Sequence, residues 1–365
     1  MKKYIFWGLL FVLIQTGYGQ NRKTYFLHGF GGNASEMTSM ANSLAQTHKM
    51  DPVTVGYDSK NGIVNAGASA ASQMPGTGAL AIGHSMGGVT LRQIDKQSTR
   101  PFTAMISIGS PHAGAEAARS LVSGKGKSIA TRALVLAGSG FVADPLTTMI
   151  YSPISWSTLK FIIALAGTTA TTKLLNGKLT ELDNQSAREL QPGSAFFQGN
   201  QATNTPLVSI VGVEDKQTFY RIATYEANLQ LGLNITESQG VAEANRIGNW
   251  YLRRAATRAV GAVFALTPVT RALRVAQSAA WLAGGAQILY FMERDWNEIY
   301  AGTRSSNPLG DGFIARASQD FPYARKNEVV YGVNHSEERY SEAVNNVIRN
   351  VMKGLIDPKL GVDVR

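Results

Sequence analysis

The chain has 365 residues, 37 of them Gly, with no Cys and a formal net charge of +10. Lack of cysteine excludes a disulfide framework, a thiolate zinc site, an iron–sulfur cluster, a cysteine nucleophile and a lipid anchor on an N-terminal Cys. A hydrophobic fraction of 44% supplies a core and a charged fraction of 16% argues against long disordered or coiled-coil regions, and at roughly 150 residues per domain the length suits one large domain or one domain with an elaborate insertion.

The first element is an address. Lys2 and Lys3 form a basic start, Tyr4 to Ile14 is an apolar run, and Gly17 and Gly19 are small residues placed for a cut before Gln20. The run is too short to span a bilayer comfortably. Residues 1–19 therefore read as a secretory signal, and the mature chain as periplasmic or extracellular. Without Lys2 and Lys3 it keeps 33 basic residues against 25 acidic ones, a net charge of +8. A basic exported chain suits anionic lipid or polysaccharide, and equally a soluble protein of high pI. No run of like charge and no basic–aromatic interleaving points to nucleic acid.

Short apolar, β-branched runs bounded by turn residues follow: 24–27, 53–55, 79–82, 104–108, 207–213 and 328–333. Continuous apolar runs of this kind suit parallel strands buried on both faces. Between and after them lie helical stretches: 34–47 behind Asn33 as N-cap, 86–97 behind a tight glycine turn, and 337–355 with Tyr340, Val344, Ile348 and Val351 on one face. Alternating strands and helices predict an α/β fold, a mostly parallel sheet flanked by helices.

Two segments are too long for ordinary strand–helix–strand connections. Residues 115–200 are rich in Ala, Leu, Ile and Thr and broken by Pro145 and Pro153. Residues 216–305 read as helices, with Arg253, Arg254, Arg258, Arg271 and Arg274 among Ala, Val and Leu. Within them, residues 275–292 carry no charge and approach the length of a membrane helix. Gln277, Ser278, Gln287 and the Gly284–Gly285 pair favour a buried or cap helix instead. A contact with a membrane surface through these helical insertions stays open.

Candidate chemistry begins at His28-Gly29-Phe30-Gly31-Gly32, after the first run. Its glycines free backbone N–H groups to point at an oxygen. Gly83-His84-Ser85-Met86-Gly87-Gly88 lies between a strand and a helix. A serine on so sharp a turn exposes its Oγ above the sheet, and the helix N-terminus behind it favours negative charge. Ser85 is the candidate nucleophile. The N–H groups of Met86, just after it, and of Phe30 are the candidate oxyanion donors.

The chain has five histidines. His28 lies in the glycine loop, His84 flanks the serine and His48 ends a polar helix. His112 has only Asp95 as an acid between it and Ser85, on the helix after the serine and pointing the wrong way. His335, after the last strand, can reach Ser85 across the strand ends and is the candidate base. Two acids can orient it. Asp215 directly follows the 207–213 run and is the simpler connection. Asp311, in Leu309-Gly310-Asp311-Gly312-Phe313-Ile314, sits in a tight loop with an apolar anchor and is the better local chemistry.

Together these motifs, with Ile108-Gly109-Ser110-Pro111-His112-Ala113-Gly114 and Asn334-His335, resemble the α/β-hydrolase fold and within it the bacterial triacylglycerol lipases. The resemblance covers residues 23–114 and 305–355. It implies that the acid of the Asp-Gly-apolar-apolar motif is Asp311 rather than Asp215, and that Phe30 and Met86 form the oxyanion pair. Leu190-Gln191-Pro192-Gly193-Ser194 resembles a segment that follows the lipase cap. The implied layout is a signal (1–19), a first core part (20–114), a cap or lid insertion (115–200), a core strand (201–215), a second helical insertion (216–305) and a last core part (306–365). Some relatives hold a structural calcium near the histidine. Glu337 and Glu338 stand there without a full ligand set, so no required metal or other cofactor is expected.

The function these features imply is an exported serine ester hydrolase, a lipase or carboxylesterase acting on lipid or other acyl esters. An acyltransferase, thioesterase or phospholipase would share the same residues. A non-catalytic lipid-binding or adhesion module would share only the scaffold, and the presence of Ser, Asp, His and both glycine loops speaks against it.

Overall fold

The computed structural model describes residues 22–48, 50–75, 78–97, 102–126, 128–129, 132–133, 136, 184–199, 202–215, 218–231, 235–307 and 309–354. The signal segment and the middle of the first insertion, with Pro145 and Pro153, lie outside the described residues.

Six strands form one parallel sheet: β1 (Arg22–Leu27), β2 (Met50–Val55), β3 (Ala79–His84), β4 (Phe102–Ile108), β5 (Leu207–Val213) and β6 (Lys326–Tyr331), in the order β2-β1-β3-β4-β5-β6. The central strands read as apolar runs because both faces are covered, whereas the edge strands β2 and β6 carry exposed polar residues such as Asp51 and Lys326. Tyr25 and Leu27 of β1 and Ala81 of β3 pack into one cluster, beneath α2 (Ile63–Ala71) and α3 (Met86–Gln97). Phe26, Leu80 and Ile82 pack into the other, beneath α1 (Thr38–Ala45) and the C-terminal helix Glu342–Met352. Each fully buried Val, Leu, Ile or Met contributes about 1.5–3 kcal/mol, and the two clusters hold the sheet rigid between them.

The chain runs from β1 outward to β2, then crosses back to β3 and continues the other way. Where strand order reverses, the loops leaving the carboxyl ends of β1 and β3 diverge and open a crevice. The register Leu27↔Gly83 sets the loop after β1 beside the turn after β3, and Val213↔Tyr331 carries the same edge to β6.

Past β4 come α4 (Glu116–Val122), α5 (Gln185–Glu189) and α6 (Ala195–Gly199). Past β5 come α7 (Thr218–Leu231), the long α8 (Glu237–Val263), α9 (Pro268–Ala286), a π-helical turn (Gln287–Phe291) and α10 (Met292–Ala301). A short α11 (Arg316–Gln319) precedes β6, and the C-terminal helix is α12.

Three sequence expectations shift. The 34–47 helix splits: Asn33 Oδ1 accepts from Ser35 N, but it caps a 3-10 turn (Ala34–Met37) that then widens into α1. The 337–355 helix likewise starts late, because a 3-10 turn (Glu337–Arg339) intervenes and Ser341, just before α12, is extended. Tyr340 therefore falls outside the helix and is exposed, while Val344, Ile348 and Val351 are buried. Residues 275–292 are only half buried. Trp281 and the Gly284–Gly285 pair face inward, whereas Val275, Leu282, Tyr290 and Phe291 face out, and the π turn interrupts the segment. Among the described residues no helix is long and apolar enough to cross a membrane.

Candidate active site

Ser85 sits between the last residue of β3 and the first of α3, with φ of 55°, and is the one non-glycine residue with positive φ among the described residues. Left-handed backbone is unfavourable for a residue with a Cβ, so the surroundings must enforce it. Ser85 N donates to Ile108 O at 2.8 Å, and Gly88 N donates back to Ser85 O at 3.1 Å. The strand and helix also approach too closely for side chains. A Cβ on Gly83 would lie 2.5 Å from Gly87 C, and one on Gly87 would lie 2.5 Å from Leu27 O.

His335 Nε2 lies 2.9 Å from Ser85 Oγ, and His335 Nδ1 lies 2.7 Å from Asp311 Oδ2. Asp311 is fully buried, its carboxylate aimed by its own loop. Oδ1 accepts from Phe313 N at 2.8 Å and Ile314 N at 2.7 Å, which leaves Oδ2 for the histidine. His335 N also donates to Asp311 O at 2.9 Å, so the two loops are joined by main chain as well. Because Oδ2 is an acceptor, Nδ1 carries the ring proton and Nε2 is free to accept from the serine hydroxyl. A hydroxyl, a base and an orienting carboxylate in this order can activate the serine for attack. Asp215 is not brought to the site. It is exposed at the end of β5, near Gly332.

Several side chains around this row carry no local sequence signal. Gln319 of α11 donates from Nε2 to Asp311 Oδ2 at 3.0 Å and spans β5 through Gly212 N and O. Trp296 of α10 donates from Nε1 to Gly312 O at 2.8 Å, tying the second insertion to the acid loop. Arg221 of α7 binds Glu214 and Glu237 at 2.9 Å each and Glu337 at 2.5 Å. Glu237 accepts in turn from Asn334 Nδ2, and Glu337 from Asn334 N. The residues on both sides of His335 are thus clamped from the second insertion. Burial raises Glu214 to about 7 against the lowering pull of Arg221.

Glu338 lies behind the histidine, fully buried, 3.5 Å from His335 Nδ1 and 3.2 Å from His84 Nε2. Backbone glycines make its room: a Cβ on Gly109 or on Gly212 would meet a Glu338 carboxyl oxygen at 1.9 Å. Burial first, and the neighbouring Asp311 second, push its carboxyl well above the usual range. His84 Nε2 donates to His335 O at 3.0 Å, and burial holds His84 well below the usual imidazole range. His84, His335 and Glu338 bring ligating atoms within 4.8 Å of one another, a spacing that could hold a metal ion. The ring nitrogens facing Glu338 are already engaged by Asp311 and a main-chain carbonyl. Of the two acids expected near a calcium, Glu337 pairs with Arg221 and Glu338 faces these histidines.

The loop after β1 is fixed from behind. Tyr57 Oη donates to His28 O at 2.5 Å and its ring stacks on His28 at 4.2 Å, while Gly31 N donates to Ser59 Oγ at 2.8 Å. Phe30 follows in this loop, and a Cβ on Gly29 would come within 2.9 Å of Ser85 Cβ. Met86 is the first residue of α3, where helix N–H groups lack intrahelical acceptors. Met86 thus adjoins Ser85 in the chain. A cavity of about 580 Å³ opens over Ser85, within the range of ligand sites, and Phe30 lines the same cavity. Ala115, Ala118 and Leu121 by α4, Leu190 after α5, and Phe313 and Ile314 give apolar walls, while Asn33, Glu36 and Arg339 give a polar one.

The other histidines lie elsewhere. His112 is buried against Ser107 Oγ at 2.8 Å and stacked on Phe321, and burial together with Arg92 holds it well below the usual range. His48 contacts Thr47 Oγ1 at the end of α1. Asp95 accepts from Asn204 N and Thr205 N and anchors the entry to β5.

A doubly covered parallel sheet with this strand order, a strained serine turn after its third strand, and an acid and a histidine on loops flanking its last strand define the α/β-hydrolase fold. No family model and no curated protein matches the chain. Among solved structures it is similar to the mature form of the Bacillus licheniformis lipase BlEst2, with 13% identity over 93% of each chain and a TM-score of 0.44. It is also similar to a thermophilic esterase from Thermogutta terrifontis, with 12% identity over 91% of this chain and 89% of that one and a TM-score of 0.36. An extracellular α/β-hydrolase from a Paenibacillus species aligns at 14% identity over 51% of this chain and 76% of that one, with a TM-score of 0.28.

Proposed function

We propose that the chain is an exported serine hydrolase that cleaves carboxylic esters of acyl chains through an acyl-enzyme on Ser85. His335 takes the hydroxyl proton as Ser85 Oγ attacks the ester carbonyl. The N–H groups of Phe30 and Met86 receive the oxyanion, and Asp311 steadies the imidazolium. His335 then protonates the leaving alcohol, and a water activated by the same nitrogen releases the acid. The observation that carries this reading is the unbroken row Ser85 Oγ, His335, Asp311, at 2.9 and 2.7 Å, opening into the cavity. The apolar wall suits the acyl chain, and the Asn33–Glu36–Arg339 side suits the alcohol part. Export rests on the signal read in residues 1–19.

The test is hydrolysis of p-nitrophenyl esters from acetate to palmitate by the mature chain, beside Ser85→Ala. The expected result is a preference for medium or long chains over acetate, abolished in the variant. A preference for acetate would overturn the acyl-chain reading. Failure on every ester and on emulsified triglyceride would overturn the hydrolase reading.

A further inference from the structure

The α8–α9 hairpin has two parts of different character. Its stem has a core of Ile247, Trp250, Tyr251, Ala255 and Trp281, with Ile288 packed against it. Its tip has none. Val263 is 72% exposed, Phe264 75%, Leu266 99% and Val269 77%, and Val260 and Leu273 are also exposed. The turn itself is well specified: Thr267 caps α9, with Pro268 in its first turn. Large apolar side chains on a defined turn are costly to leave in water, so the structure holds them out for a partner.

Charge identifies the partner. From Ala244 to Met292 there is no Asp or Glu, and there are six Arg. Arg271 and Arg274 of α9 lie off the face of Val269 and Leu273, which are one helical turn apart. Arg253, Arg254 and Arg258 stand on the facing helix. Arg253 and Arg271 are exposed, and Arg254 stacks over Trp250 at 5.4 Å. At 1.5 Å per residue, Arg271 and Arg258 stand roughly 8–12 Å behind Leu266 along the hairpin. An amphipathic element that rests in a bilayer surface buries its apolar part by about 5–10 Å. The spacing thus puts guanidinium groups at the level of lipid phosphates when the tip reaches the acyl boundary.

We infer that the tip of this hairpin, centred on Phe264, Leu266 and Val269, docks the protein on an anionic phospholipid bilayer, entering one leaflet without crossing it. Trp296, on α10 at the base of the same insertion, bonds the loop of Asp311. The docked end and the cavity are therefore parts of one packed structure.

The experiment is flotation of the mature chain with vesicles of phosphatidylcholine alone and with about a third phosphatidylglycerol, run for wild type, a Phe264→Ser/Leu266→Ser/Val269→Ser variant and an Arg271→Gln variant. Wild type is expected to float with the anionic vesicles and to release in high salt. The triple variant is expected to lose at least tenfold in partitioning. The arginine variant is expected to lose about fivefold. Ser85→Ala should bind like wild type, so the result does not depend on catalysis. Hydrolysis of a soluble ester by the tip variant should be unchanged, which shows that it is folded. Equal flotation of the triple variant would overturn the inference. So would absence of wild-type binding, including the case in which gel filtration shows a wild-type dimer that the triple variant dissolves, because a second copy would then cover the tip.

Discussion

The turn at Ser85 and the tip at Leu266 are both helix-bounded turns, and they are held in opposite ways. At Ser85 nearly every atom is spoken for: a strained backbone, glycines with no room for a Cβ, and a base and acid locked by main-chain bonds. At Leu266 the following helix is capped, while the large side chains of Val263, Phe264, Leu266 and Val269 stand exposed. The first carries backbone strain and filled space, the geometry the proposed catalysis would use. The second keeps apolar area exposed, as the proposed docking would use. Near Ser85, replacing Gly83 or Gly87 should cost activity and stability together, because a Cβ there meets backbone, whereas substitutions at the tip should cost neither.

With the nucleophile left in place, the largest effect is expected at Asp311. Asp311→Asn should lower kcat/KM by roughly 10⁴-fold, because an amide can no longer hold His335 in the required tautomer. Asp215→Ala, measured in the same ester assay, should change little. A reversed order would reassign the acid.

Next comes Arg221. Removing it leaves three carboxylates facing one another around the His335 loop. Arg221→Ala should lose about 3–5 kcal/mol in denaturant unfolding and lower kcat as that loop loosens. A loss below 1 kcal/mol, by the surface-pair scale, would mean that the clamp is not structural.

Glu338 gives a pH-dependent test. Its folded carboxyl titrates well above the ordinary 4.5. Above that pH an unfolded chain releases the proton that the folded chain keeps. The stabilisation is complete below pH 4.5 and is lost as pH rises through the raised folded value. Glu338→Gln, which cannot ionise, lacks this slope. Relative to wild type it should gain in denaturant midpoint from pH 5 to pH 8, by at most about 1.4 kcal/mol per pH unit. A parallel pair of profiles would show that Glu338 is charged in the fold.

The smallest effect is expected at the tip, where Leu266→Ser should leave unfolding within about 0.5 kcal/mol of wild type. A loss of several kcal/mol would show that Leu266 is packed in solution and would erase the contrast with Ser85.

What the sequence made legible follows the same division. The strands could be read because both faces of the sheet are covered, so Thr24–Leu27 or Leu207–Val213 have no polar side to hide their type. Ser85 and the Asp311 loop could be read because their geometry is local: glycines beside them, a strand before one and an apolar anchor after the other. The choice of Asp311 over Asp215 also lay in a local feature, the Gly-Asp-Gly turn with its apolar pair, and in the resemblance; the N–H groups of that pair, Phe313 and Ile314, are the ones that hold the carboxylate. Gln319, Arg221 and Trp296 could not be read, and Glu338 could be placed near His335 but not in the buried spot behind it. Each acts across the fold on a residue distant in sequence or on the far side of a turn, and a polar residue on a helix gives no sign of what it will face. The late start of α12 escaped for a related reason, since Tyr340 fits the apolar period but the 3-10 turn that positions His335 uses up those residues.

The most direct measurement is covalent labelling of the mature chain with a fluorophosphonate, located by peptide mass spectrometry. One label on Ser85 is predicted, absent in Ser85→Ala and strongly slowed in His335→Ala. An unlabelled wild type, or a label that persists in Ser85→Ala, would contradict the assignment of Ser85 as the activated nucleophile.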